Sequence, residues 1–337
     1  MAFRLKFWGV RGSLPMAPDG LAMRAHFKRL MNSFLSSPFA RNQDGIDKFF
    51  ATLSPVELQG FGGETTCVQV IGDQSDLLVD AGSGLRRFGE RIKNSAVKPK
   101  EFHILLTHFH WDHLLGLPFF FPIFDPRFKV HFYSPEQALE QLIAVKFQKP
   151  FFPVPFDVVR KQMIFHYLPP RVTTQIGEWT VTPYLLDHPD PCWGYKIQKG
   201  QLAYSHCVDT EANRTSREEL GEDLPLYQKT TLMYFDAQYS LPELVEKSNW
   251  GHSAAQIGLD IALREQIPFV VFGHHDPGAS YSQIMRIQHE VRRYQHWKKQ
   301  SARNNRAELF VVRWRFAYDG MTVDLNQLIP DRRIKTD

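Results

Sequence analysis

The sequence predicts an α/β fold, and three observations carry that prediction. Short apolar runs rich in β-branched residues recur along the chain, bounded by Gly, Pro, Asp and Asn. Stretches with helical spacing lie between several of them. The hydrophobic fraction, 43% of 337 residues, suits a globular protein with a substantial core. In order, Phe3–Val10, Thr66–Ile71 and Asp76–Asp80 read as strands, Leu85–Ile92 as a helix and Phe102–Thr107 as a buried strand. Leu114–Phe121 reads as the start of a helix. Phe128–Tyr133 is a strand, and Ser134-Pro135-Glu136 starts a helix with an N-cap and a proline at its first position. Met163–Tyr167, Glu178–Leu186, Tyr195–Gln198 and Leu202–Cys207 extend a second sheet. Ser253–Glu265 has helical spacing at Ile257, Ile261 and Leu263, and a long polar helix runs from about Ser280 to Asn304. Strands at Leu309–Phe316 and Met321–Leu325 close the pattern, with no internal repeat or low-complexity tract.

Length alone would allow two domains, yet large α/β enzymes often form one compact unit, so a single domain over residues 1–337 is expected. No run approaches the roughly 20 apolar residues a membrane span needs. The first residues lack the apolar region of a signal peptide. Three cysteines, Cys67, Cys192 and Cys207, make no disulfide framework. A cytoplasmic protein is the expectation. The net charge of +4 is mild and compatible with an anionic substrate.

The run Thr107-His108-Phe109-His110-Trp111-Asp112-His113 packs four potential metal ligands into six residues at the end of a buried strand. Three imidazoles and a carboxylate offer the nitrogen and oxygen donors that zinc, manganese or iron accept. A helix N-cap would account for Asp112 and for none of the histidines. Further donors stand at later strand ends: His188 after the run from Trp179, Asp209 after Leu202–Val208, and His274 after Phe269–Gly273.

The spacing H-x-H-x-D-H, followed by these donors in this order, resembles the metallo-β-lactamase superfamily. Phe7-Trp8-Gly9-Val10-Arg11-Gly12-Ser13, Phe61-Gly62-Gly63-Glu64-Thr65-Thr66, Leu78-Val79-Asp80-Ala81-Gly82-Ser83-Gly84, Asp236-Ala237-Gln238-Tyr239, Trp250-Gly251-His252-Ser253 and His274-His275-Asp276-Pro277 narrow the resemblance. They point to a subgroup near ribonuclease Z and the cyclic-phosphate diesterase PhnP. The resemblance implies an αββα sandwich of two packed mixed sheets flanked by helices. It also implies two divalent metal ions, zinc first, with manganese or iron accepted by the same ligands. His108, His110 and His188 would hold one ion; Asp112, His113 and His274 the other; Asp209 would bridge them. Ions about 3.5–4 Å apart trap a bridging hydroxide as nucleophile. Counting 22 positions on from His252 places the last ligand at His274, with His275 behind it or facing substrate. Within the same resemblance His252 approaches the scissile phosphate and Asp236 orients it, so His252, Asp236 and Asp112 are the catalytic candidates. A carboxylate on one ring nitrogen fixes the tautomer and favours an imidazolium that can protonate a leaving alkoxide. Asp80 is expected to brace the ligand loop without touching metal.

The chain departs from the subgroup between Pro15 and Phe61, where about 45 residues intervene. Phe27, Leu30, Met31, Phe34 and Leu35 follow an amphipathic helical pattern, with Arg24, Lys28 and Arg29 on or near the polar face. A helical insertion over 16–60 is expected, packing on the body or on a second subunit, or closing as a lid over the site. Phe151-Phe152-Pro153-Val154-Pro155-Phe156 could stack a base, although such loops more often pack. The basic run from Arg286 to Arg306 reads as a solvated helix face.

The function expected is hydrolysis of phosphodiester bonds in a small or cyclic nucleotide. An RNA- or DNA-processing nuclease is the alternative, against which no Gly/Pro/basic arm like the one ribonuclease Z uses is found. A non-catalytic sensor of a nucleotide or partner on the same scaffold is a third reading. No membrane partner is expected, and a homodimer is compatible with the superfamily.

Overall fold

A computed structural model describes residues 2–96, 99–306 and 310–328. Among the described residues, fourteen strands form two sheets of seven. The first joins β1 (Arg4–Gly9), β2 (Cys67–Ile71), β3 (Leu77–Val79), β4 (Glu101–Leu105), β5 (Lys129–Ser134), β6 (Met163–Tyr167) and a late strand, Thr322–Asp324, beside β1. The second holds β7 (Thr174–Ile176), β8 (Trp179–Leu185), β9 (Trp193–Lys199), β10 (Leu202–Cys207), β11 (Leu232–Asp236), β12 (Phe269–Gly273) and β13 (Arg313–Phe316); the late strand Thr322–Asp324 is β14. β3 to β6 are mutually parallel, as are β10 to β13.

Side-chain alternation explains the layering. In β12, Phe269 and Val271 face the inter-sheet core while Val270 and Phe272 face the helices outside. A strand buried on both faces must read as a continuous apolar run, as this one does. Leu5, Phe7, Val68, Val79 and Leu105 of the first sheet meet Trp179, Tyr195, Tyr204, Tyr234 and Val271 of the second. The helix Ser83–Lys93 covers the outer face of the first sheet through Leu85 and Phe88. The helices Ala255–Glu265 and Tyr281–Asn304 cover the second through Leu259, Ile284 and Val291. The layers are helix, sheet, sheet, helix, as expected. No helix among the described residues is long and apolar enough to cross a membrane.

Three expectations change. Met163–Tyr167 pairs parallel with β5 and ends the first sheet instead of opening the second. A run of apolar residues fixes strand character without fixing the neighbour. Leu114–Phe121 starts no α-helix; it forms 3-10 turns at Leu117–Phe119 and Phe121–Phe124. Pro118 and Pro122 remove the N–H groups a helix interior needs. Ser134 closes β5, and the next α-helix starts only at Leu139; Ser134 Oγ instead accepts from Glu136 N–H in a local turn. β7 went unnoticed because three residues carry too little pattern. The expected strand start at Leu309 lies outside the described residues, and β13 begins at Arg313.

Residues 16–60 hold the helices Gly20–Ser36, Gln43–Thr52 and Pro55–Gln59, with Asp19, Asn42 and Ser54 as N-caps. Phe34 and Phe39 pack on Phe49. Arg29 stacks its guanidinium 3.7 Å from the Tyr281 ring centre, and Gln59 Nε2 donates to the Asp319 carbonyl at 2.6 Å. The helix Gly20–Ser36 buries no residue, and Leu21, Phe27, Met31 and Leu35 are all more than half exposed.

Candidate metal centre

The parallel strands of both sheets end on one side of the sandwich, where loop backbones are free to turn side chains inward. β4 delivers the loop 107–113. Asp80, at the end of β3, holds it: Oδ1 accepts from Thr107 N and Oγ1 at 3.0 and 2.9 Å, and Oδ2 faces His113 Nδ1 at 2.8 Å. With Nδ1–H donating to Asp80, the His113 lone pair sits on Nε2, 2.6 Å from Asp209 Oδ2. His108 turns Nδ1 to Thr107 Oγ1 at 3.1 Å and Nε2 to Asp209 Oδ2 at 3.1 Å. Thr65 Oγ1 donates to the Asp112 carbonyl at 2.7 Å, and Ser13 N donates to Asp112 Oδ2 at 2.8 Å.

The second sheet supplies the remaining donors. His188 follows β8, Asp209 follows β10 and His274 follows β12. His188 Nδ1 lies 2.9 Å from the Asp190 carbonyl, while Asp190 Oδ2 lies 2.9 Å from His110 Nε2. One residue thus orients two histidines, leaving His188 Nε2 and His110 Nδ1 for a ligand. Ser13, Asp80, Asp209 and His274 all have positive φ, between 57 and 66°. Non-glycine residues rarely adopt that region, and its concentration at one site marks a backbone bent to aim side chains. Two glycines permit the approach: a Cβ on Gly12 would come 2.4 Å from the His274 ring, and one on Gly251 would come 2.2 Å from His188 Cδ2.

Two donor groups result, His108–His110–His188–Asp209 and Asp112–His113–Asp209–His274, with Asp209 in both. Their chemistry fits cations. His108, His113 and His274 Nε2 converge on the Asp209 carboxylate at 3.1, 2.6 and 2.8 Å, and His188 Nε2 is buried with no hydrogen-bond partner. A buried nitrogen left alone costs about 1–3 kcal/mol, and several imidazoles crowded onto one carboxylate are a donor set that suits a shared cation. Nitrogen donors with two carboxylates suit zinc, manganese or iron.

The charges agree. Burial alone would raise the Asp209 carboxyl, but His274, His113 and His108 hold it well below the usual range. Burial likewise opposes ionisation of Asp112, and His113 overcomes it. In turn burial would lower His274, whereas Asp209 lifts it to about 9. His113 is raised by Asp209 and Asp80 against the same opposing burial. Without a cation His113 and His274 therefore favour their protonated forms, whereas burial pushes His108 and His188 down, and a cation must displace the protons of the first pair.

Asp236 ends β11 with every contact engaged. Oδ1 accepts from Ser253 N and Gln238 N at 3.0 and 3.1 Å; Oδ2 accepts from Asp209 N at 3.1 Å and faces His252 Nδ1 at 3.1 Å. Asp209, Asp236, His252 and His274 are also close enough to form a third donor group. Asp236 is saturated by backbone N–H groups, so we assign it to positioning. Burial would lower the His252 imidazole, but Asp236 and Asp209 raise it to about 10.

All the residues singled out in the sequence as ligands or catalytic groups therefore meet at one place. His275 does not join them: its Nε2–H donates to the Ala317 carbonyl at 2.8 Å and its ring stacks on Phe316, so it faces the core and not a substrate. Burial and Arg11 push it down to about 3. Asp190, Thr65, Thr107 and Ser13 escaped the sequence reading. Asp190 alone left a signal, a carboxylate two residues after a ligand histidine.

Residues 76–275 match the family model described as a beta-lactamase superfamily domain. Ribonuclease Z of Pyrococcus abyssi is 31% identical over 126 residues, covering 36% of this chain. The chain thus spans only 38% of that relative's length. The metallo-β-lactamase fold protein YhfI of Bacillus subtilis superposes with a TM-score of 0.60 at 14% identity, over 96% of this chain and 98% of that one. A diphosphatase of the PhnP family gives 0.56 at 16% identity, over 95% and 97%. At such identities these structures speak for the fold.

Proposed function

The chain belongs to the beta-lactamase superfamily, and on that premise we propose that it is a metal-dependent hydrolase of phosphodiester bonds in a small or cyclic nucleotide. Two divalent cations, zinc first, would be the cofactor: His108, His110 and His188 would hold one, Asp112, His113 and His274 the other, and Asp209 would serve both. The chemistry such a pair supplies when bound is Lewis acidity toward a phosphoryl oxygen and a water acidic enough to attack near neutral pH.

The observation that carries the reading is His252. Its Nδ1 faces Asp236 and Asp209 at 3.1 and 3.4 Å, and the residue keeps a small exposed area beside the cluster. A positioned imidazolium there donates a proton to the departing alkoxide and meets the charge that grows on phosphorus oxygens. Asp236 keeps that proton donor in one tautomer. Asp112, fixed by Ser13 N–H, orients its side of the site. Relatives named as a ribonuclease and a diphosphatase support phosphorus as the centre attacked. The matches to ribonuclease Z favour a second reading, an RNA-processing nuclease, although each covers less than half of this chain. The three buried free thiols support a reducing, cytoplasmic setting.

The test is hydrolysis of bis-p-nitrophenyl phosphate, cyclic AMP, cyclic GMP and a short RNA by metal-reconstituted protein and by Asp209→Ala. Turnover of the generic diester and a cyclic nucleotide, lost in the variant, is expected. Cleavage of RNA alone would transfer the assignment to the nuclease, and inertness toward all four with metal bound would end the phosphodiester reading.

A further inference from the structure

The ligand loop carries a residue that neither holds metal nor packs. Trp111 stands between His110 and Asp112, on the 3-10 turn Trp111–His113, and is 66% exposed. Adjacent Cα atoms are about 3.8 Å apart, so the backbone of Trp111 lies beside two residues of the donor cluster. An exposed tryptophan forgoes the burial that ordinarily retains this side chain, and on a rigid turn it offers a binding surface.

The indole is not alone. Lys146 Nζ lies 4.4 Å from its ring centre. Lys146 comes from the turn Val145–Phe147, whose Phe147 is buried against Phe152 and Phe156. The aromatic-proline loop thus serves packing at those two positions and steadies the lysine. Lys146 makes no ion pair among the described residues, yet it is within electrostatic reach of Asp112. A cation held beside an aromatic ring at the mouth of a metal site is suited to a ligand with both a phosphate and a flat ring. The ammonium meets the anion, and the uncovered indole surface stacks the ring.

We infer that Trp111 is the platform on which the substrate's nucleobase stacks, with Lys146 holding the indole and contacting a phosphate oxygen. This rests on the phosphodiester reading and deepens it: the substrate is a nucleotide, selected through its base by stacking and not by base identity. Every base has a π-face, so such a platform is tolerant among bases.

The experiment titrates metal-loaded protein with AMP and with ribose 5-phosphate, which lacks the base, by calorimetry. Wild type, Trp111→Ala, Trp111→Phe and Lys146→Met are compared, with metal content measured for each. Stacking contributes about 1–3 kcal/mol per base, so AMP affinity falls about tenfold or more in Trp111→Ala. Ribose 5-phosphate affinity stays unchanged, Trp111→Phe retains most of the AMP preference, and Lys146→Met weakens both ligands, AMP the more. Equal binding of AMP and ribose 5-phosphate by wild type, equal loss of both in Trp111→Ala, or loss of metal in that variant overturns the inference. A parallel assay separates it from the activity. Base-dependent AMP binding without turnover of any diester would sink the phosphodiester reading and keep the platform. Diester turnover with a KM for thymidine 5′-p-nitrophenyl phosphate that ignores Trp111 would do the reverse.

Discussion

Around Asp209, backbone and side chains combine to aim donors inward: Asp236 fixes its N–H, Asp80 fixes His113, and four positive-φ residues bend the loops toward one point. The helix Gly20–Ser36 presents the opposite case. It has a good N-cap and a periodic apolar stripe, yet it buries nothing and is tied to the body by a few contacts such as Arg29 on Tyr281. Both begin within the same few residues, since Ser13 bonds Asp112 just before segment 16–60 departs. The difference teaches where constraint resides. A cluster of like groups must be held from every side, whereas a helix that caps and propagates locally can sit on a surface and acquire its purpose from what later covers it.

Breaking the cluster has the largest effect. Asp209→Ala removes the shared ligand, so hydrolysis and metal content, read by elemental analysis, both fall to background. His252→Ala leaves metal content intact and lowers kcat by about 10²–10⁴; loss of metal would instead make His252 a ligand. Chelation lowers the unfolding midpoint, because a cation at a hundred times its Kd stabilises by about 2.7 kcal/mol. The pH dependence then reverses between the two forms. In the metal-free protein, folded His274 titrates near 9 against about 6.5 unfolded. Its contribution is complete below the unfolded value and is lost as pH rises through 9. In the loaded protein, proton displacement makes metal affinity rise over the same interval, which competition with a chelator at several pH values measures.

The insertion gives the smaller effects. Deleting residues 18–58 leaves a folded protein; altered substrate preference identifies a lid, and unchanged preference removes that role. Met31→Ser changes the unfolding free energy read from a urea titration by no more than about 0.5 kcal/mol, since Met31 is 63% exposed. A larger loss that depends on protein concentration would show that a second copy covers the stripe.

What the sequence disclosed follows the same division. The loop 107–113 was legible because its donors are contiguous, and β12 because both its faces are buried. His188, Asp209 and His274 were legible only through their order at strand ends. Asp190 left only a carboxylate two residues after a ligand histidine, and the roles of Thr65 and Ser13 were silent, because each acts on a residue brought near by the fold. Leu114–Phe121 was misread because apolar content outweighed the prolines at 118 and 122. Met163–Tyr167 was misplaced because strand character does not name a neighbour.

The donors come from both sheets: the loop after β4 on one, the ends of β8, β10 and β12 on the other. The complete set cannot exist in a half-assembled chain. Contacts between residues so distant in sequence form late, after the entropy of closing long loops has been met. A cation that engaged both groups would therefore be retained tightly only by molecules whose two sheets have docked in register, so that its retention would report assembly.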